Sequence, residues 1–131
     1  MITSTKCRRL MLCHQAYRKI ADETRFDCYG QTGKAIRGLI ANGLTSVLTN
    51  CEIVLLGHGN RPGHVILEKD LTANFFERNI YVDSYSRHFE DRKIEDDKEY
   101  YVYENEYGMT ISYEVVARIN VMDYVKKYML A

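Results

Sequence analysis

The stretch CEIVLLGHGNRPGHVILE, residues 51–68, decides the fold because the pattern of the chain changes there. Two apolar segments, CEIVLLG and HVILE, flank HGNRPG, which contains the only proline of the chain together with glycine and asparagine. This arrangement predicts a β-hairpin. The residues before it follow a helical pattern and most of those after it follow a strand pattern, so the hairpin marks the change from helices to sheet.

Two helices are predicted before the hairpin. Within residues 5–24, apolar side chains recur every three or four positions, and Ser4 or Thr5 is available as an N-cap. A second helix is predicted from Cys28 to Asn42, with Asp27 as its N-cap. Its glycines, at 30, 33 and 38, would each weaken it by up to about 1 kcal/mol unless close packing against a neighbour requires them.

The second half of the chain is predicted to be mainly strands. IYVDSYS (80–86) indicates a third strand, and YYVYENEYGMTISYEVVARI (100–119) indicates two more. The charged segment RHFEDRKIEDDKE (87–99) is interpreted as a solvated loop, and NVMDYVKKYMLA (120–131) as a short helix capped by Asn120. The predicted fold is therefore α+β, with N-terminal helices packed on an antiparallel sheet of about five strands and a short C-terminal helix.

Size and charge limit the classes of function. With 131 residues and 46% hydrophobic content, the chain suits a single domain covering residues 1–131. Lys plus Arg and Asp plus Glu each number 18, so no overall charge favours nucleic acid as a partner. No apolar run reaches the roughly 20 residues of a membrane-spanning helix, and the first residues do not resemble a secretory signal, so no membrane association is expected.

The four cysteines, Cys7, Cys13, Cys28 and Cys51, include no CxxC pair, and their spacing does not suggest a disulfide framework. A reducing, cytoplasmic location is therefore expected. A zinc site formed with His14 would match no familiar ligand spacing, so no metal is predicted. One of these cysteines, Cys28, is instead a candidate nucleophile.

Cys28, His64 and Asp83 form a candidate catalytic triad. A cysteine is nucleophilic as its thiolate, and a helix N-terminus, where Cys28 is predicted, favours negative charge. His64 opens the predicted strand HVILE and is the candidate base. Asp83, on the next strand, is the candidate residue to orient the imidazole. His58 is an alternative base, and each of the three residues could instead have an ordinary structural role.

Three segments resemble the smaller papain-like cysteine enzymes: FDCYGQTGKAIRGLI (26–40), GHVILE (63–68) and IYVDSY (80–85). The relevant families are the NlpC/P60 peptidases, the transglutaminase-like proteins and the arylamine acetyltransferases. The resemblance covers residues 26–86 and is to an arrangement rather than to a signature. It implies a nucleophile at a helix N-terminus, a histidine at the head of a strand and an orienting residue on the following strand.

Two features depart from these families. Tyr29 stands where NlpC/P60 proteins usually have a small residue, and IADETRFDC (20–28) lacks the glutamine that commonly supplies an oxyanion donor in papain-like proteases. The backbone N–H of Cys28 could serve as one donor, which leaves the second unidentified.

The predicted function is cysteine-dependent acyl transfer, most simply by a peptidase or amidase acting on a peptide or protein. Such a reaction needs no metal or organic cofactor, although an acyl-CoA donor is conceivable if the acetyltransferases are the true relatives. The alternative is a non-catalytic binding or inhibitor module. Its contact surface would be the last hairpin, which gathers five of the eleven tyrosines of the chain: Tyr100, Tyr101, Tyr103, Tyr107 and Tyr113. Oligomeric state is not predicted.

Overall fold

The computed structural model describes residues 4–58, 61–69, 74–77, 79–82 and 91–129. Its helices are α1 (Ser4–Ala21), α2 (Cys28–Ala41), the single turn α3 (Thr45–Leu48) and α4 (Val121–Tyr124). The strands are β1 (Cys51–His58), β2 (Arg61–Lys69), β3 (Asn79–Val82), β4 (Asp91–Glu95), β5 (Lys98–Glu104) and β6 (Thr110–Asn120). A 3₁₀ turn, Phe75–Glu77, lies between β2 and β3, and a π-helical turn, Val125–Met129, follows α4.

The strands form one antiparallel sheet in the order β3-β2-β1-β6-β5-β4. β1 and β2 form the predicted hairpin, and β6 returns to lie beside β1 at the centre of the sheet. The register shifts between Leu56 and Gly57, whose partners on β2 are His64 and Pro62, so Gly63 is an extra residue at this point. A bulge of this kind changes which face of the sheet the side chains beyond it occupy.

The two faces of the sheet have separate cores. On the first face, Ile53, Leu55, Val65 and Leu67 pack in the cluster that includes side chains from the helices. On the second face lies another cluster, whose buried members are Val54, Leu56, Ile66, Phe75 and Tyr101. The two sets alternate along β1 and β2, as the period of two in a strand requires. We call these the helix face and the second face.

Contacts across the second face show that the sheet is curled. Phe75, in the turn after β2, receives a hydrogen bond of 2.6 Å on its carbonyl from Arg92 of β4, which is at the far edge of the sheet. The hydroxyl of Tyr101, on β5, donates to the carboxylate of Glu68 on β2. These elements are separated by several strands, so the second face must be concave. Its side chains are correspondingly buried.

The α+β class, the N-terminal helices, the antiparallel sheet and the short C-terminal helix are confirmed. The sheet contains one strand more than the approximate prediction, because residues 91–95 of the presumed loop form β4. β4 and β5 are joined by Asp96 and Asp97, whose φ angles of 51° and 62° give a tight two-residue turn. Aspartate tolerates this left-handed conformation better than most residues. Within the described part of the chain, no helix combines the length and the apolar character that crossing a membrane requires.

The glycines of α2 differ in what surrounds them. A Cβ atom at Gly33 would lie 2.1 Å from the carbonyl oxygen of Ile20, so α1 and α2 approach each other too closely for any side chain there. A Cβ at Gly38 would meet nothing within 4 Å. The helix crossing therefore explains Gly33 but not Gly38.

Substituting these two glycines by alanine is expected to give opposite effects. Gly38→Ala should raise the free energy of unfolding by about 0.5–1 kcal/mol, since alanine favours the helix and restricts the unfolded chain. Gly33→Ala should lower it by about 1–3 kcal/mol, because the backbones must separate. Denaturant unfolding of both variants measures this, and a change of the same sign in both would contradict the assigned crossing.

Candidate active site around Cys28 and His64

The N-terminus of α2 is built by Asp27, as predicted. Its side chain accepts a hydrogen bond of 3.1 Å from the backbone N–H of Gly30, and its other carboxylate oxygen accepts 3.0 Å from Nε of Arg25. A Cβ at Gly30 would lie 2.0 Å from the carbonyl oxygen of Arg25, so only glycine fits there. These contacts hold the first turn of α2, and with it Cys28, in one position.

Cys28 points into the protein rather than into solvent. It is only 4% exposed and belongs to the cluster on the helix face. Burial raises the pKa of its thiol, a hydrogen bond from the backbone N–H of Val65 opposes that rise, and the charge of Asp27 adds to it. The net direction is upward, so the helix terminus alone does not produce a thiolate here.

His64 is fully buried and lies in the interior of β2, not at its head. β2 begins at Arg61, because the hairpin loop is shorter than the sequence pattern indicated. His64 pairs with Leu56, a member of the cluster on the second face, so its ring projects from that face. The prediction that His64 opens the strand is therefore wrong, although its position on the strand beside α2 agrees.

The structure brings Cys28 beside the backbone of His64 but not into a hydrogen bond with its ring. Cys28 packs in the same cluster as Val65, the residue that follows His64 on β2. Of the described contacts, none is a hydrogen bond between the thiol and the imidazole. The thiol of Cys28, on α2, lies on the helix face of β2, and the imidazole of His64 projects from the second face.

Two other predicted site residues lie wholly or partly outside the described residues. Asp83 follows the last described residue of β3, Val82, and lies outside the described residues. The backbone of His58 ends β1, but its side chain is likewise outside the described part. The candidate roles of Asp83 as orienter and His58 as alternative base stay predictions.

A buried polar network on the second face was missed by the sequence analysis. Nη1 of Arg118 lies 2.7 Å from Glu68 and 3.4 Å from Glu52, and its Nε lies 3.2 Å from Glu99. Tyr101 donates to Glu68 from the other side. Glu68 and Tyr101 are both inaccessible to solvent.

The charged side chains of this network stabilise one another by forming ion pairs. Burial opposes the charge of Arg118, but the carboxylates of Glu68 and Glu99 outweigh it and raise the pKa of the guanidinium. The guanidinium also lies 5.6 Å from the ring centre of Phe75. A signal for this network was present in the sequence, since Glu68 and Arg118 are charged residues inside apolar strand segments, HVILE and VVARIN.

The tyrosines of the last hairpin divide between packing and exposure. Tyr101 is a core residue, whereas Tyr103 and Tyr113 are half-buried and stack with ring centres 6.2 Å apart. Tyr107, in the turn between β5 and β6, is 78% exposed. Packing therefore accounts for some of these residues and leaves a smaller exposed set.

Three comparisons were made with known proteins. No family model, no curated protein and no solved structure matches the chain. Within the described residues, no group of three or more histidine, cysteine, aspartate or glutamate side chains could hold a metal ion. The geometry of the chain itself is therefore the basis of the functional inference.

Asp27 should make stability depend on pH in the acid range. The hydrogen bond from Arg25 is the main cause that lowers the pKa of this carboxyl in the folded protein. A lowered folded-state pKa means that the contribution is complete above the unfolded-state value, about 4, and is lost as the pH falls through the folded-state value. Asp27→Ala should cost about 1 kcal/mol near neutral pH through loss of the N-cap.

Asp27→Asn is the matched variant, because its amide oxygen can still accept from Gly30 while the charge is removed. It should retain more stability near neutral pH than Asp27→Ala, and its stability should fall less steeply on acidification than that of the wild type. Urea unfolding at a series of pH values measures both effects. Identical acid dependence in wild type and Asp27→Asn would show that Asp27 has no such role.

Proposed function

We propose that the protein is a cysteine-dependent acyl-transfer enzyme, most simply a peptidase or amidase, with Cys28 as nucleophile. In this proposal His64 acts as general base and then acid, and Asp83 orients its imidazole. The substrate is an amide of a peptide or protein. The observation that carries the proposal is the position of Cys28 at the start of α2, buried in the same cluster as Val65, the residue that follows His64 on β2.

Two further features support the proposal. Cys28 lies at the first position of a 14-residue helix, a common environment for a nucleophilic thiol. Its backbone is held by the Asp27 cap and by the close approach of Gly30 to Arg25, so the position of the sulfur is well determined. Because the nucleophile is already fixed in position, less entropy is lost on reaching the transition state.

The buried thiol requires a base, because its pKa is raised. His64 accepts the proton of the thiol, and the sulfur then attacks the carbonyl carbon of the amide. The C–N bond breaks as His64 returns the proton to the leaving amine, which leaves an acyl group on Cys28. Water, deprotonated by His64, releases the acid and restores the thiol. In the structure the imidazole and the sulfur lie on opposite sides of β2, so this reaction requires a rearrangement of β2 in the active form.

Alkylation by iodoacetamide near neutral pH tests the proposed pairing. Cys28 should react at least about tenfold faster than the half-buried Cys13, because only the thiolate is nucleophilic and the imidazole supplies it. His64→Gln should lower the rate at Cys28 by about tenfold or more and leave Cys13 unchanged. Peptide mapping by mass spectrometry measures each rate separately.

His14→Gln is the control, since His14 is an exposed histidine on α1. It should not alter the rate at Cys28, whereas Asp83→Asn should reduce it. Slower alkylation of Cys28 than of Cys13, with no effect of His64→Gln, would contradict the enzymatic proposal and leave Cys28 as a core residue.

The alternative is a non-catalytic binding module, and one observation favours it. Ile94, Tyr107 and Met109 are each more than half exposed on β4 and on the turn between β5 and β6. Exposed apolar groups of this kind are common in protein contacts. Cys28→Ala separates the two functions, because an enzyme loses its effect on substrate and a binding module retains its partner.

A further inference from the structure

A charged cleft lies beside the turn between α1 and α2, on the solvent side of α2. It has a volume of about 740 Å³ and is lined by Glu23, Arg25, Phe26, Gln31, Lys34 and Arg37, among others. This volume lies in the range typical of sites for small molecules. Cys28 does not line the cleft.

The lining has an excess of positive charge. Three cations, Arg25, Lys34 and Arg37, face one carboxylate, Glu23. Arg25 is paired with Asp27, and Arg37 lies 3.7 Å from Glu23, whose side chain is 76% exposed. The whole chain has equal numbers of acidic and basic residues, so this excess is local to the cleft.

Lys34 differs from the two arginines. It is exposed on α2, and none of the described residues forms an ion pair or hydrogen bond with it. Arg37 is partly held, since its Nη1 lies 3.4 Å from the carbonyl oxygen of Ile20. The ammonium group of Lys34 is therefore available to a ligand, with the guanidinium of Arg37 one turn further along the same helix.

An aromatic side chain adjoins these cations. Phe26 is 94% exposed, the most exposed large hydrophobic residue of the described chain. A phenyl group that lines a cleft can supply an apolar contact to a ligand bound there. The helix terminus does not contribute to anion binding here, because Asp27 already occupies it.

We propose that this cleft binds a small organic anion in which a carboxylate or phosphate adjoins an apolar group. Lys34 and Arg37 contact the oxyanion, since cationic side chains pair well with carboxylate and phosphate oxygens. Phe26 covers the apolar part. Glu23 competes with the ligand for Arg37. The proposal does not depend on the chemistry assigned to Cys28.

Calorimetric titration with phenyl phosphate and phenylacetate, at low ionic strength, tests the proposal. At least one of them should bind saturably, and the tighter of the two identifies phosphate or carboxylate as the preferred group. Inorganic phosphate, which lacks the apolar part, and benzyl alcohol, which lacks the charge, should both bind more weakly.

Variants assign the contacts. Lys34→Gln should weaken binding by about fivefold, as expected for one exposed ion pair. Glu23→Gln should strengthen binding, and Phe26→Ala should reduce the affinity for phenyl phosphate towards that for inorganic phosphate. Lys126→Gln, which removes an exposed lysine outside the cleft, should have no effect.

Two results would overturn the proposal. One is the absence of saturable binding by every probe. The other is an equal loss of affinity in Lys34→Gln and Lys126→Gln, which would show attraction to overall charge and not to a site. Either result leaves the alkylation behaviour of Cys28 unaffected, so failure of the cleft is distinguishable from failure of the enzymatic proposal.

Discussion

The close packing of α2 between α1 and β2 is the constraint on which the rest of the structure depends. Backbone atoms of α1 and of the following turn approach α2 at Gly33 and Gly30, where no side chain would fit. On its other side α2 buries Cys28 in the same cluster as Val65 of β2. Together, these contacts determine how deeply the Cys28 thiol is buried, where the charged cleft lies and how the helix face of the sheet is covered.

The second face is organised differently, by charge rather than by helices. Arg118, at the centre of the concave sheet, joins three carboxylates contributed by β1, β2 and β5. Removing one partner of such a buried group is costly because the remaining charge keeps its desolvation penalty. The network therefore links β1, β2, β5 and β6 across the second face. His64 projects into this same face, whereas Cys28 belongs to the cluster on the helix face, so β2 separates the two side chains.

Local features of the fold could be predicted because local interactions determine them. The Asp27 and Asn120 caps, the helical periodicity before residue 42 and the apolar strands of the first hairpin were all assigned from adjacent residues. β4 was missed because four of its five side chains are charged and most are exposed, which is typical of a protected edge strand and resembles a loop in sequence.

The candidate site was harder to predict because faces and distant contacts decide it. His64 alternates with Val65 along β2 and shares the second face with Ile66, but which of the two faces packs against α2 is settled only when the helices and the sheet assemble. The ion pair of Arg118 with Glu68 joins residues 50 positions apart, so only the assembled sheet reveals it. The order Cys28, His64, Asp83 was visible in the sequence, but the direction of each side chain was not.

The most direct test of the account is the ionisation of the Cys28 thiol in the intact protein. The ultraviolet absorbance of the thiolate, taken as the difference between wild type and Cys28→Ser over a range of pH, reports it without a substrate. If His64 pairs with the thiol, the thiolate appears at a pH below about 7, well under the ordinary cysteine pKa of about 8.5. If the thiolate appears only above that ordinary value, burial alone governs Cys28 and the proposed nucleophile is a structural residue.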